Sequence, residues 1–282
     1  MGLRVLIGID NSSFSQQAIT FGITLAKQTG ATLIGISIVD ADSIEMHSAS
    51  APLGSFYYAE KLVDEKINEA HAILEKALQD FKTKCQANQV KCETILNAGN
   101  PAKEIIKETE LADLLIIGIQ TFFHFETDST PDDTFEKIIN HSKCPIIAVT
   151  EQEIPAKFGV LAAYDGNIKA NNAIKAFATI NDRFQFTTDV TVLNVNDDLD
   201  EGNIIINKAV KYLEAHGLNI TGKVLRGRPR EIIFKTAKEC EQTKKTLLVI
   251  GTNGNNELTD LILGNSIKNI ILDGTIPLFI YH

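Results

Sequence analysis

Three glycines at fixed spacing, Gly251-x2-Gly254-x9-Gly264, run directly into Asn265 and Ser266. They lie between the apolar run LLVIG and the helix-like segment IKNIILD. The chemistry open to such a stretch is anion binding by main chain. A residue without a Cβ lets amide N–H groups come close to a ligand. A helix start adds unpaired N–H groups and the positive end of its dipole. Asn265 or Ser266 could cap that helix or donate to the same anion. The competing reading is a turn that needs glycine only for positive φ and tight packing. Two other groups invite the same question. Asp165 ends an apolar run, and either meets a ligand or caps a turn or helix. Arg228 and Arg230 flank Pro229; their guanidinium forks suit phosphate oxygens, or they are solvated charges beside a turn.

The elements that position these residues occur twice. RVLIGIDNS (4–12) is echoed by FGVLAAYDGN (158–167), and TLIGISIVDAD (32–42) by DVTVLNVNDDL (189–199). NAGNPAKEIIKETE (97–110) is echoed by LRGRPREIIFKTAKE (225–239), and LLIIGIQ (114–120) by LLVIGTN (247–253). KCPIIAVT (143–150) is echoed by TIPLFIYH (275–282). A repeat of this length signals duplicated domains, expected at 1–150 and 156–282 with the seam near EQEIPAK (151–157). The offset between equivalents drops from 155 at Asp10/Asp165 to 133 at Gly118/Gly251, so the first copy carries about 22 more residues. These fall in SIEMHSASAPLGSFYY, a Ser/Ala/Pro/Gly-rich loop insertion.

Each copy alternates strands and helices. VLIGI, LIGISIV, LLIIGI and PIIAV are apolar throughout, as parallel strands covered on both faces should be. SFSQQAITFGITLAKQTG has apolar Ala18, Ile19, Ile23, Leu25 and Ala26 on one helical face, with Gly30 as its stop. The expectation is an α/β fold of two tandem open parallel five-strand sheets with flanking helices, whose ligands sit beyond the strands' carboxyl ends. The closing strands KCPIIAV and TIPLFIYH would leave apolar edges, so the two halves are expected to pair as an intramolecular pseudo-dimer.

In its glycine spacing, its strand-ending aspartate, its G-x-P turn and its closing Pro-led strand, the chain resembles a tandem universal stress protein of the ATP-binding branch. The resemblance runs over nearly all 282 residues. It implies a Rossmann-like fold of the adenine-nucleotide alpha-hydrolase kind in each domain. It also implies that the second domain binds ATP or AMP. Asp165 and the main chain of Val195 would hold ribose and adenine, with Gly227 and Arg228 beside them. Gly251, Gly254, Gly264, Asn265 and Ser266 would hold phosphates and a magnesium ion. The chain departs from that pattern at Asn265, where a hydroxyl residue is usual, and in the acids Glu257 and Asp260 of the loop. The implied role is a stress-response or signalling module without catalysis, slow ATP hydrolysis staying open. No P-loop, His-x-Gly-His pair or SGGxDS loop points to an ATP-using enzyme.

The first copy lacks the loop. Thr121 stands at the second glycine position, and Pro131-Asp132-Asp133 near the third. Proline removes a donor and the acids repel phosphate, so this domain is not expected to bind ATP in the ordinary manner. FFHFE (122–126) is expected to plug the vacant pocket or cover an interface. An apolar small molecule or a protein partner, with the inserted segment as lid, is the alternative function. A metal at His124, Glu126, Asp128 and Asp132 or Asp133 is the weakest reading.

Composition narrows the rest. Net charge is −9, with 44% hydrophobic and 22% charged residues. That balance argues against a nucleic-acid or anionic membrane surface. The absence of a ~20-residue apolar span and of a signal-peptide pattern leads to the expectation of a cytoplasmic protein, with further homodimerisation open. Cys85, Cys92, Cys144 and Cys240 form no CxxC pair and are expected to be reduced thiols. Cys144 is expected in the core and His71 on a helix surface. A regulatory disulfide between Cys85 and Cys92 is a minor alternative.

Overall fold

The computed structural model describes residues 2–41, 43–44, 56–120, 134–155, 157–252 and 274–282. It divides into two compact units, Met1–Ile138 and Ile139–His282.

In the first unit, β1 (Arg4–Gly8), α1 (Ser13–Thr29), β2 (Thr32–Val39), α2 (Phe56–Ala87), β3 (Cys92–Ala98), α3 (Pro101–Glu108) and β4 (Leu114–Gly118) follow in order. The strands lie as β3-β2-β1-β4. All the pairings are parallel, with Val5 opposite both Leu33 and Leu114, and Leu33 opposite Cys92. The expected helix is present: α1 buries Ala18, Ile19, Ile23, Leu25 and Ala26. It stops at Gly30, whose φ is 72° and whose N–H reaches the carbonyl of Ala26. At its other end the Ser12 side chain accepts from the Ser15 N–H.

Helix α2 covers β2 through Phe81, which is wholly buried. A Cβ on Gly35 would stand 2.8 Å from the Phe81 ring and 2.9 Å from Ile9 Cδ1. The missing side chain in mid-strand is therefore the socket for a ring. His71, on the outer face of the same helix, is exposed beside Glu75.

Helix α4 (Thr134–His141) leads into the second unit, which holds β5 (Ile146–Val149), β6 (Gly159–Ala163), α5 (Ile168–Phe184), β7 (Asp189–Val195), α6 (Leu199–Ala215), β8 (Asn219–Leu225), α7 (Pro229–Thr243), β9 (Thr246–Gly251) and β10 (Leu278–Tyr281). Its strands lie as β5-β10-β9-β6-β7-β8. Val160 faces Val190 and Leu247, Val190 faces Ile220, and Leu248 faces Leu278, all in parallel pairs. Antiparallel pairing occurs once among these bonded pairs, where Ala148, Ile147 and Ile146 of β5 face Leu278, Phe279 and Ile280 of β10. Both closing strands thus lie in this unit, bonded to each other. The compact division and the sequence repeat do not coincide, because hydrogen bonding to β10 draws β5 to the later residues.

Phenylalanines fill the second core. Phe158 and Phe184 each stack on Phe186, at 5.3 and 5.4 Å between ring centroids. Phe177 of α5 meets Phe279 of β10 edge-on at 5.6 Å. Cys144 is buried, as expected. Among the described residues no helix is long and apolar enough to cross a membrane.

Phe81→Ala should empty the socket above Gly35 and cost about 3–5 kcal/mol, as large-to-small changes of buried aromatics do. The check is a lower urea midpoint with an unchanged transition slope in the full chain.

Candidate functional site

The order β10-β9-β6-β7-β8 reverses direction between β6 and β9. In open α/β sheets that is where strand ends splay and ligands bind. A cleft partly open to solvent lies there. The end of β6 and start of α5 contribute Ala163, Tyr164, Asp165, Asn167 and Ala170; the end of β7 contributes Leu193 and Val195. Pro229 and Ile233 of α7 and Gly251 of β9 complete the described lining. The walls are mainly apolar, with a few polar groups, as small-molecule sites tend to be. Asp165, Val195 and Gly251, singled out in the sequence, meet in this cleft. Gly227 and Arg228 directly precede its Pro229 wall. Gly254, Gly264, Asn265 and Ser266 lie outside the described residues, as do Glu257, Asp260 and the first copy's Thr121 to Asp133.

Asp165 is exposed and organises the turn that enters α5. Its Oδ1 accepts from the Asn167 N–H at 3.0 Å, and its Oδ2 from Asn167 Nδ2 at 2.7 Å. Asn167 in turn caps α5, its Oδ1 accepting from the Lys169 and Ala170 N–H groups, both at 2.8 Å. Of the two structural readings of Asp165, it makes the turn, while the cap of α5 is Asn167, two residues on. Two lone pairs on each carboxylate oxygen leave further acceptor capacity. Asp10 makes the same turn in the first unit, accepting from Ser12 N–H and Oγ, but is buried.

Tyr164 is buried behind Asp165 and donates its hydroxyl to Asn171 Oδ1 at 2.6 Å. Burial, helped by the neighbouring Asp165 charge, raises its pKa, so it remains a donor. Val195, two residues past Leu193, the last residue of β7 opposite β6, lines the cleft as well. Tyr164, Asn167 and Ile233 were missed in the sequence. An Asp-x-Asn turn ahead of a helix was a usable signal for Asn167; the other two are placed by packing alone.

Gly251 needs no ligand to explain it. A Cβ there would lie 2.5 Å from the Lys169 carbonyl carbon and oxygen and 2.7 Å from the Ala170 nitrogen. The first turn of α5 sits against this strand end, so tight packing accounts for its identity. Gly118, its equivalent, is closed in the same direction by Phe14 Cβ at 2.6 Å. The G-x-P turns also match: Gly227 has φ 128° and Gly99 has φ 132°, values suited to glycine alone.

The following helices differ at their starts. Asn100 caps α3 by accepting from the Lys103 N–H. Arg228, at the same position of α7, makes no side-chain cap. Its guanidinium faces solvent and pairs with Glu231 at 3.3 Å, a contact of small energetic weight. The N–H groups that open α7 thus lack the side-chain oxygen their counterparts have.

Residues 1–150 match the family model described as Universal stress protein family. The chain belongs to the universal stress protein family. Universal stress protein YxiE of Bacillus subtilis is 28% identical over 148 residues, covering 52% of this chain and 97% of that protein. Universal stress protein Slr1230 of Synechocystis is 20% identical over 296 residues, covering 99% of both. A universal stress protein from Archaeoglobus fulgidus has the same fold, with TM-score 0.68 and 18% identity over 98% of this chain and 97% of that one. The full-length matches suit a tandem arrangement of two universal stress protein repeats.

Two predictions follow from the strand ends. Gly251→Ala should lower stability without any ligand present, by about 1–3 kcal/mol, since helix backbone cannot move aside for a methyl group. Thermal melting of the variant with no added ligand reads this directly. His282, just past Tyr281 opposite Gly251, titrates below its ordinary value of 6.5, through burial first and then through Lys169, Lys143 and His141. The unfolded chain therefore takes up this proton first as pH falls. Its contribution is intact above 6.5 and is lost as the pH drops below that value. Melting temperatures across about pH 5–8 should fall on the acid side, and less so in His282→Gln.

Proposed function

We propose that the second unit binds an adenine nucleotide, ATP or AMP, and that the protein acts as a cytoplasmic stress-response or signalling module without turnover. The observation that carries this reading is the cleft at the strand-order reversal, where Asp165, Val195 and Gly251 converge. Its chemistry suits such a ligand. Leu193, Val195, Pro229 and Ile233 offer apolar surface to a flat ring, while Asp165 retains acceptor capacity for ribose hydroxyls. The start of α7, without a side-chain cap, favours negative charge. Binding would report nucleotide state by favouring one conformation over another. Magnesium, if involved, would arrive with the polyphosphate.

Calorimetry of the full chain with ATP, with and without magnesium, and with AMP tests the reading. Saturable binding is expected, weakened in Asp165→Ala by roughly 10- to 100-fold, the worth of about 1.5–3 kcal/mol for hydrogen bonds to a charged group. No binding by folded protein at about millimolar nucleotide would overturn it. An apolar mass carried through native mass spectrometry in place of a nucleotide would transfer the function to the alternative site in the first domain.

A further inference from the structure

We propose that Cys85 and Cys92 of the first unit are a peroxide-responsive dithiol that closes to an intramolecular disulfide and reopens on reduction. The proposal concerns other residues than the nucleotide cleft and does not rest on that reading.

The two cysteines stand at the ends of a short chain reversal that the backbone holds shut. Cys85 lies in the last turn of α2 and is wholly buried. Its carbonyl accepts from the Val90 N–H at 2.9 Å and the Asn88 N–H at 3.1 Å. Gln89 turns the chain with φ 57°. Cys92 then opens β3, fixed opposite Leu33, and is half-buried. Helix end and strand start are thus both anchored, and the Cys92 side chain lies close enough to the Cys85 thiol to act on it through hydrogen bonding and charge. Such a reversal makes a bond between the sulfurs a local event, requiring no unfolding of the sheet.

The two sulfurs have different parts. Cys85 is held as the thiol: burial first, then the Cys92 charge, pushes its pKa up to about 12. Cys92, the accessible member, is the one that meets oxidant. Its thiolate attacks one oxygen of hydrogen peroxide, forming an S–O bond and breaking O–O; the hydroxide released takes a proton and leaves as water. The Cys85 sulfur then attacks the Cys92 sulfenic sulfur, forming S–S and breaking S–O. The Cys85 proton leaves with that hydroxyl as a second water. Two thiols lose one electron each, and the peroxide gains both. A small-molecule thiol reverses the step by exchange. Cys144 is buried, its sulfur 3.9 Å from Ser142 Oγ. Cys240 is half-buried on α7. They serve as controls.

The test uses the full reduced chain, exposed to hydrogen peroxide, quenched, alkylated unfolded and digested after lysine. Cleavage at Lys84, Lys91 and Lys103 puts the two cysteines on separate peptides. The expected result is a Cys85–Cys92 linked pair, lost on treatment with dithiothreitol, while Cys144 and Cys240 remain alkylated. Cys92→Ser should abolish the link and leave Cys85 alkylated after the same exposure, with an unchanged circular dichroism spectrum to show that the chain is folded. The proposal is overturned if Cys92 proceeds to sulfinic acid without linking. It is equally overturned if Cys240 oxidises as fast as Cys92, or if Cys85 reacts as readily in Cys92→Ser as in the parent.

Discussion

Helix α5 comes down on the end of β9 until its own backbone stands 2.5 Å from where a Gly251 Cβ would be. That approach sets the geometry of everything at the carboxyl edge of the second unit. It brings Asp165, Asn167 and Ala170 together with Gly251 in one cleft. It also ties the site to the core, because the same helix inserts Phe177 against Phe279 of the neighbouring β10. A wider separation would let a side chain in at position 251 and fill the space with protein. The glycine that looks at first like a ligand contact therefore acts earlier in the chain of causes: it permits the packing that makes a cleft.

Both repeats keep this arrangement and differ in what they place around it. Ser37 in one copy and Asn194 in the other each tie the second strand to the end of the first, donating at 2.8 Å to Ile9 and Tyr164 carbonyls. The aspartate turn recurs with serine in one copy and asparagine in the other. Divergence concentrates where no packing demands it. Asp165 is exposed where Asp10 is buried, and α7 starts without the side-chain cap that Asn100 provides to α3. One copy's edge keeps an exposed carboxylate and a helix start without a side-chain cap, while the other buries its aspartate and caps its helix.

Much of this was legible in the residues themselves. The apolar runs, the face of α1 with its Gly30 stop, and the internal echo of β1, β2, β4 and β5 in β6, β7, β9 and β10 come from local patterns, which survive folding unchanged. Convergence of Asp165, Val195 and Gly251 could be expected because parallel strands deliver their ends to one edge. The work of Gly251 could not, since the atoms that forbid a Cβ belong to Lys169 and Ala170, distant in the chain and nondescript in type. Pairing of the two closing strands could be expected from their apolar edges, but not its antiparallel sense or the grouping of β5 with later residues. The missing cap at Arg228 was readable, as arginine has no acceptor to offer an N–H group.

That antiparallel pairing of β5 with β10 bears on how such a protein can be taken apart. A gene fragment cut at the repeat seam would encode a second half lacking the strand that completes its sheet. Its last strand would then present an open row of amides and carbonyls, a template for joining any other chain. Duplication has here produced two copies in sequence that are no longer two separable pieces in matter.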